Sequence, residues 1–146
     1  MSKRDDKIER AVRTVAASPE QIFQLLSDPS KHALIDGSGT VKGSSDDLPE
    51  RLEMGSKFGM KMNLGIPYRI TNTVVEFDVP NQIGWRHMGG HIWRYKLQAV
   101  EGGTEVTEEF DWGPAHAGFT YPLLGYPERN RRAVEETLDR LVAHFA

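Results

Sequence analysis

The spacing of apolar positions changes period several times along this chain, and each change marks an element. Between Ile8 and Ala16, Ala, Val and Thr alternate with charged residues, which predicts a first strand. Ser18-Pro19-Glu20-Gln21 then carries a helix start: the serine caps, the proline fits the first helical position, and the glutamine completes a capping box. This helix is predicted to run through Leu26. Asp28-Pro29-Ser30 repeats the cap-then-proline signal, closing the first helix and opening a shorter one through about Leu34. From Ile35 to Glu50 the chain turns to Gly, Ser and Asp, a mobile flank in expectation, with only residues 39–42 reading as a short strand.

From Ser56 the period is two: Phe58, Met60, Met62 and Leu64 alternate with Lys57, Gly59, Lys61 and Asn63. Gly65-Ile66-Pro67 turns the chain. Strands are predicted at about Tyr68 to Val79, Ile83 to Met88, His91 to Val100 and Thr104 to Trp112, an antiparallel meander broken at Pro80-Asn81, Gly89-Gly90 and Gly102-Gly103. In the last twenty residues Val134, Leu138, Leu141, Val142 and Phe145 recur at helical spacing, so one amphipathic helix is expected from about Glu128 to Phe145. Its apolar stripe needs a partner, and the sheet's apolar face supplies one. The expected class is α+β: a curved antiparallel sheet of six to seven strands around a long C-terminal helix, with residues 1–146 as a single domain.

Strand parity gives the faces. A two-residue hairpin at Gly89-Gly90 would pair Trp85 with Arg94, splitting the tryptophans between faces and burying arginine. A three-residue loop, Met88-Gly89-Gly90, instead sets His87 opposite His91, Trp85 opposite Trp93 and Ile83 opposite Tyr95, with Arg86, Arg94 and Lys96 facing out. The second arrangement leaves no charge buried and uses glycine where a bulged loop needs a left-handed residue. The inner face then carries Phe58, Met60, Met62, Trp85, His87, His91, Trp93, Tyr95, Leu97, Val106 and Phe110. The same parity places Glu108 inside, between Val106 and Phe110, unless a bulge returns it to solvent. Thr107, Glu109 and Asp111 point outward.

Composition narrows the chemistry. There is no cysteine among the 146 residues, which removes disulfides, thiolate metal sites and cysteine nucleophiles. With 18 Lys plus Arg against 21 Asp plus Glu, interspersed, the chain offers nucleic acid no basic surface. The cluster Arg129, Arg131 and Arg132 sits beside Glu128, Glu135 and Glu136 at helical spacing, an ordinary paired face. No apolar run is long enough to span a bilayer, and a cytoplasmic location is expected.

The order of elements, with Ala17-Ser18-Pro19-Glu20-Gln21-Ile22-Phe23 after strand one and Gly102-Gly103-Thr104-Glu105-Val106-Thr107 before the last strand, resembles the START-like (SRPBCC) superfamily, in particular its polyketide cyclase/dehydrase and lipid-transport branch. The resemblance covers nearly the whole chain. It implies a helix-grip fold whose sheet wraps the C-terminal helix around a cavity for lipids, polyketides or other hydrophobic ligands. Members range from carriers to cyclases, and no catalytic motif of the cyclases can be placed here residue by residue.

Candidate ligand-binding residues are therefore Met60, Met62, Trp85, His87, His91, Trp93, Tyr95, Glu108, Phe110 and Leu138. Two methionines among aromatics suit an adaptable apolar site, although the same stripe serves equally as dry core. Trp93 and Tyr95 carry polar atoms that need partners when buried. His87 and His91 lack a third ligand, so no metal and no other cofactor is expected. Glu108, the candidate catalytic group, would titrate high in an apolar cavity and act as acid, base or anchor. Residues 113–125, apolar and rich in helix breakers, fit a lid, a packed loop or a dimer contact, so monomer and homodimer both stay open. The leading expectation is a binder or carrier of a hydrophobic small molecule. Its alternatives are a cofactor-free cyclase or dehydratase and a partner-binding, cochaperone-like role.

Overall fold

A computed structural model describes residues 7–36, 41–44, 51–63 and 65–146. Among the described residues seven strands form one antiparallel sheet in the order β1-β7-β6-β5-β4-β3-β2. The strands are β1 (Ile8–Val15), β2 (Val41–Ser44), β3 (Lys57–Asn63), β4 (Pro67–Asp78), β5 (Gln82–His87), β6 (Ile92–Val100) and β7 (Gly103–Asp111). Helix α1 (Pro19–Leu26) follows β1, a 3₁₀ turn (Pro29–Lys31) runs into α2 (His32–Ile35), and α3 (Tyr121–Leu124) precedes the long α4 (Tyr126–His144). This is the helix-grip arrangement. The expected flank from Ile35 to Glu50 falls largely outside the described residues, as does Leu64; the short strand there is β2, two residues later than its composition suggested.

The local signals act as chemistry requires. Ser18 caps α1 by accepting from the Gln21 amide while the Gln21 side chain accepts from the Ser18 amide, and Asp28 caps the next turn by accepting from the Ser30 amide. One face of α4 (Val134, Leu138 and Leu141, all without solvent exposure) closes against β1 and β7, and Arg13 on β1 pairs with Asp139 on α4 at 3.0 Å. The β5–β6 hairpin has the three-residue loop: Trp85 opposes Trp93, Ile83 opposes Tyr95, and the His87 amide donates to the His91 carbonyl at 2.9 Å. Gly90 takes φ +99°, and a Cβ there would lie 2.8 Å from the Pro114 carbonyl oxygen, so this loop tolerates only glycine at that position.

One expectation needs correction: charge is buried after all. Arg94 does face the convex side of the sheet, but it is 5% exposed, with Glu109 and Asp111 buried beside it. Its guanidinium binds Glu76 at 2.7 Å, Glu109 at 3.1 Å and Asp111 at 3.0 Å, and Arg10 holds the other Glu109 oxygen at 2.7 Å. Parity assigns a side chain to a face, and neighbours on that face decide whether water reaches it. Two details make the cluster possible. A register shift between Val74 and Glu76 turns Glu76 outward and Phe77 inward, where unbroken alternation would do the reverse. Gly84, opposite Arg94, leaves the space: a Cβ there would lie 2.9 Å from a Glu76 oxygen.

Two stability outcomes follow. Arg94→Ala is expected to cost about 3–5 kcal/mol, because it removes the cation that Glu76, Glu109 and Asp111 share, and Leu138→Ala about 2–5 kcal/mol for a tightly packed core position. Urea denaturation of each variant measures both; a loss under about 1 kcal/mol for Arg94→Ala would mean the carboxylates find water.

Candidate functional site

Between the concave face of the sheet, α2, the first half of α4 and the segment around Tyr121 lies a cavity of about 870 Å³. That is the size of a site for a drug-sized molecule. The sheet contributes alternate residues: Met60 and Met62 from β3, Ile70 and Asn72 from β4, Trp85 and His87 from β5, Trp93 and Tyr95 from β6, Glu108 and Phe110 from β7. The helical side adds Leu26, His32, Ile35 and Asp36, then Tyr121, Tyr126, Asn130, Ala133 and Thr137. Exposed lining residues, among them Tyr68, Arg69, Met88, Arg129 and Arg132, mark where it meets solvent.

The wall is mostly aromatic, and its rings touch in series. His32 stacks on Trp85 at 4.8 Å, Trp85 lies 5.8 Å from Tyr95, and Trp93 lies 4.7 Å from Phe110. Within this wall Glu108 is 3% exposed. Burial raises its pKa well above the usual carboxylate range; the hydrogen bond from Tyr95 opposes the shift and the charge of Asp36 adds to it. Burial, followed by the charge and hydrogen bond of Glu108, likewise raises Tyr95. A neutral acid next to a neutral phenol results. One carboxyl oxygen, Oε1, is buried without a hydrogen-bond partner among the described residues.

Three histidines reach the cavity, and burial lowers the pKa of each. His91 falls to about 3, through burial and then the charge of His87. Its Nδ1 lies 2.9 Å from the Tyr121 hydroxyl, tying the segment before α4 to the β5–β6 hairpin. His87 stacks on His91 at 4.5 Å, and its Nδ1 accepts from the Gly89 amide at 2.9 Å. Among the described residues no group of three or more carboxylates and imidazoles converges to hold a metal. His32 Nε2 lies 2.9 Å from the Leu26 carbonyl oxygen. A carbonyl can only accept, so Nε2 carries the ring proton and Nδ1 is a bare acceptor. Among the described residues that acceptor is buried with no partner, which costs about 1–3 kcal/mol.

The profile of one family, described as polyketide cyclase / dehydrase and lipid transport, matches residues 7–146. The chain belongs to that family. Its place is the polyketide-cyclase-like branch of the START-like superfamily, which is associated with hydrophobic ligand binding or cyclase-like activity. An uncharacterised protein of Mycobacterium tuberculosis, Rv0088, is 38% identical over 146 residues, covering 96% of this chain and 64% of that protein. The chain thus spans about two-thirds of the length of the curated relatives it matches. Among solved structures, a Rhodobacter sphaeroides protein superposes with a TM-score of 0.68 at 18% identity, covering 98% of this chain and 94% of that one. A polyketide-cyclase-like protein of Corynebacterium glutamicum reaches 0.61 at 21% identity, covering 94% and 88%. At such identities these structures speak for the fold alone.

Within this polyketide-cyclase-like frame, nine of the ten side chains singled out from the sequence line the cavity: Met60, Met62, Trp85, His87, His91, Trp93, Tyr95, Glu108 and Phe110. Leu138 does not. It is fully buried where α4 meets the sheet, and the cavity is flanked instead by Asn130, Ala133 and Thr137 on the same helix. Sequence reasoning missed the helical wall, His32 above all, because α2 is a single turn and shows no periodicity. The one available signal was a histidine placed just after a proline-marked turn.

The raised Glu108 pKa has a measurable consequence. The folded state holds this proton more tightly than the unfolded chain, so its contribution to stability is greatest below pH 4.5 and falls as pH rises through the folded-state pKa. Glu108→Gln removes that decline. Its melting temperature relative to the parent protein is expected to rise between pH 5 and pH 8; a constant difference would place the carboxylate in solvent.

Proposed function

We propose that this protein binds and carries a hydrophobic small molecule in the cavity of its helix-grip fold, acting in the cytoplasm as a monomer or homodimer with residues 1–146 as one ligand-binding domain. The observation that carries the reading is the failure of the aromatic and methionine wall to pack against α4, which leaves about 870 Å³ lined chiefly by apolar side chains. An interior of this kind normally closes to crystal-like density. Space of this size, bordered by Met60, Met62, Trp85 and Trp93, favours an aromatic or acyl ligand over water.

A second reading has one observation in its favour. A neutral carboxyl bonded to a neutral phenol inside an apolar cavity is a poised proton donor, which supports cofactor-free cyclase- or dehydratase-like chemistry with Glu108 as the acid and Tyr95 beside it. Under this reading Glu108→Gln abolishes turnover while keeping ligand affinity; under the first, it alters affinity alone.

N-phenyl-1-naphthylamine is expected to bind with a dissociation constant of the order of micromolar, and to quench tryptophan fluorescence, since Trp85 and Trp93 line the cavity. Unchanged fluorescence and unchanged melting temperature with this probe, with lipids and with polycyclic aromatics would defeat the carrier reading.

A further inference from the structure

We propose that His32 and Glu108 form a two-point polar site that selects an uncharged ligand bearing a hydroxyl and a carbonyl on an apolar skeleton. This inference rests on the cavity being the ligand site, and it adds the chemical class of the ligand. His32 stands on the helical wall in α2, Glu108 on the sheet in β7, and both line the same cavity. Trp85 and Tyr95 connect them, the indole stacked under His32 and the phenol bonded to Glu108. Among the described residues each of the pair keeps one buried polar atom without a hydrogen-bond partner, Nδ1 on His32 and Oε1 on Glu108. Buried polar side-chain atoms are satisfied in the large majority of cases; of the three exceptions among the described residues Trp112 Nε1 belongs to a residue outside the cavity lining, and the two on opposite walls of one cavity mark where a ligand completes the bonding.

The chemistry of the two atoms differs, and this defines the ligand. His32 Nδ1 can only accept, because Nε2 holds the proton against the Leu26 carbonyl. It therefore calls for a hydroxyl or N–H. Glu108 is protonated in its surroundings, with Tyr95 engaging the carboxyl, so its acid proton is available to a carbonyl oxygen. An anionic ligand is disfavoured here. The negative charge of Asp36 bears on His32, Tyr95 and Glu108 alike, whereas the cationic lining residues Arg69, Arg129 and Arg132 are exposed. A simple fatty acid anion would bring its charge to the wrong end of the cavity or leave both polar atoms unmatched.

The test compares flavone, which has a carbonyl, with 6- and 7-hydroxyflavone, and with laurate, by isothermal titration calorimetry. The better hydroxyflavone is expected to bind the parent protein about tenfold more tightly than flavone, the gain of roughly one net hydrogen bond. Laurate is expected to bind more weakly than flavone. In His32→Phe, which keeps a ring against Trp85, the hydroxyl advantage should vanish while flavone affinity holds; in Glu108→Leu both flavones should weaken together. The inference is overturned if flavone binds the parent protein with no hydroxyl advantage, if the advantage survives in His32→Phe with its circular dichroism unchanged, or if laurate binds best. Failure of flavone, hydroxyflavones, laurate and N-phenyl-1-naphthylamine alike would overturn the carrier reading itself, so the two failures are distinguishable.

Discussion

A sheet that must curve around empty space cannot draw all its cohesion from its concave side, and here Arg94 supplies the cohesion from outside. Its guanidinium joins β6 to β4 through Glu76 and to β7 through Glu109 and Asp111, while Arg10 extends the network to β1. Four of the seven strands are thereby linked across the convex face. Burial alone would raise Glu76 and Glu109, yet bonding to Arg94 and Arg10 holds both below the usual range. Glu76 and Glu109 stay ionised at neutral pH, and their stabilising share is lost as pH falls through those lowered values. Cavity and cluster are two sides of one construction: side chains on the inner face that give up dispersion contacts around a cavity belong to strands held in place by charge on the outer one.

That division of labour also explains how the two faces differ chemically while sharing strands. Outside, Glu76 and Glu109 have arginine within bonding distance, which holds both below the usual carboxylate range. Inside, Glu108 has a phenol and the field of another acid, and it is neutral. Adjacent residues of β7, Glu108 and Glu109, thus hold opposite protonation states because alternation sends one to each face. The histidines of the cavity stay neutral for the same reason as Glu108, the lack of a medium that supports charge. The interior is polar in places, and the basic residues among its described lining, Arg69, Arg129 and Arg132, are exposed.

Much of this was legible from alternation. The pairing of two tryptophans, and the need to keep arginine off the apolar face, decided the hairpin loop at Met88-Gly89-Gly90 and with it the facing of Tyr95, while Glu108 was placed inside by alternation with Val106 and Phe110 on its own strand, on the condition that no bulge intervened. The caps at Ser18 and Asp28 stood out because their chemistry is local. What alternation cannot convey is depth. It put Arg94, Glu109 and Asp111 on the outer face and was silent on whether water reached them. It also carried no sign of the extra residue before Glu76, since Val75 fits either parity, nor of His32, whose position depends on packing between distant segments. Leu138 lies away from the cavity lining for a related reason: a helical stripe reports which residues turn inward and leaves open which of them meet sheet and which meet space.

The irregularity in β4 makes the length of that strand a functional quantity in its own right. Removing Val75 would close the bulge and leave Glu76 outside and Phe77 inside, because Val74 and Glu76 already lie on opposite faces. Removing Thr73 from the regular stretch would instead turn one half of the strand by one face: either Glu76 would enter the concave side and Phe77 leave it, or Asn72 would turn away from the cavity. A single-codon deletion there is thus equivalent to several simultaneous polarity reversals, whereas the hairpin tip at residues 65–66, where no side chain is buried, absorbs a change of length locally.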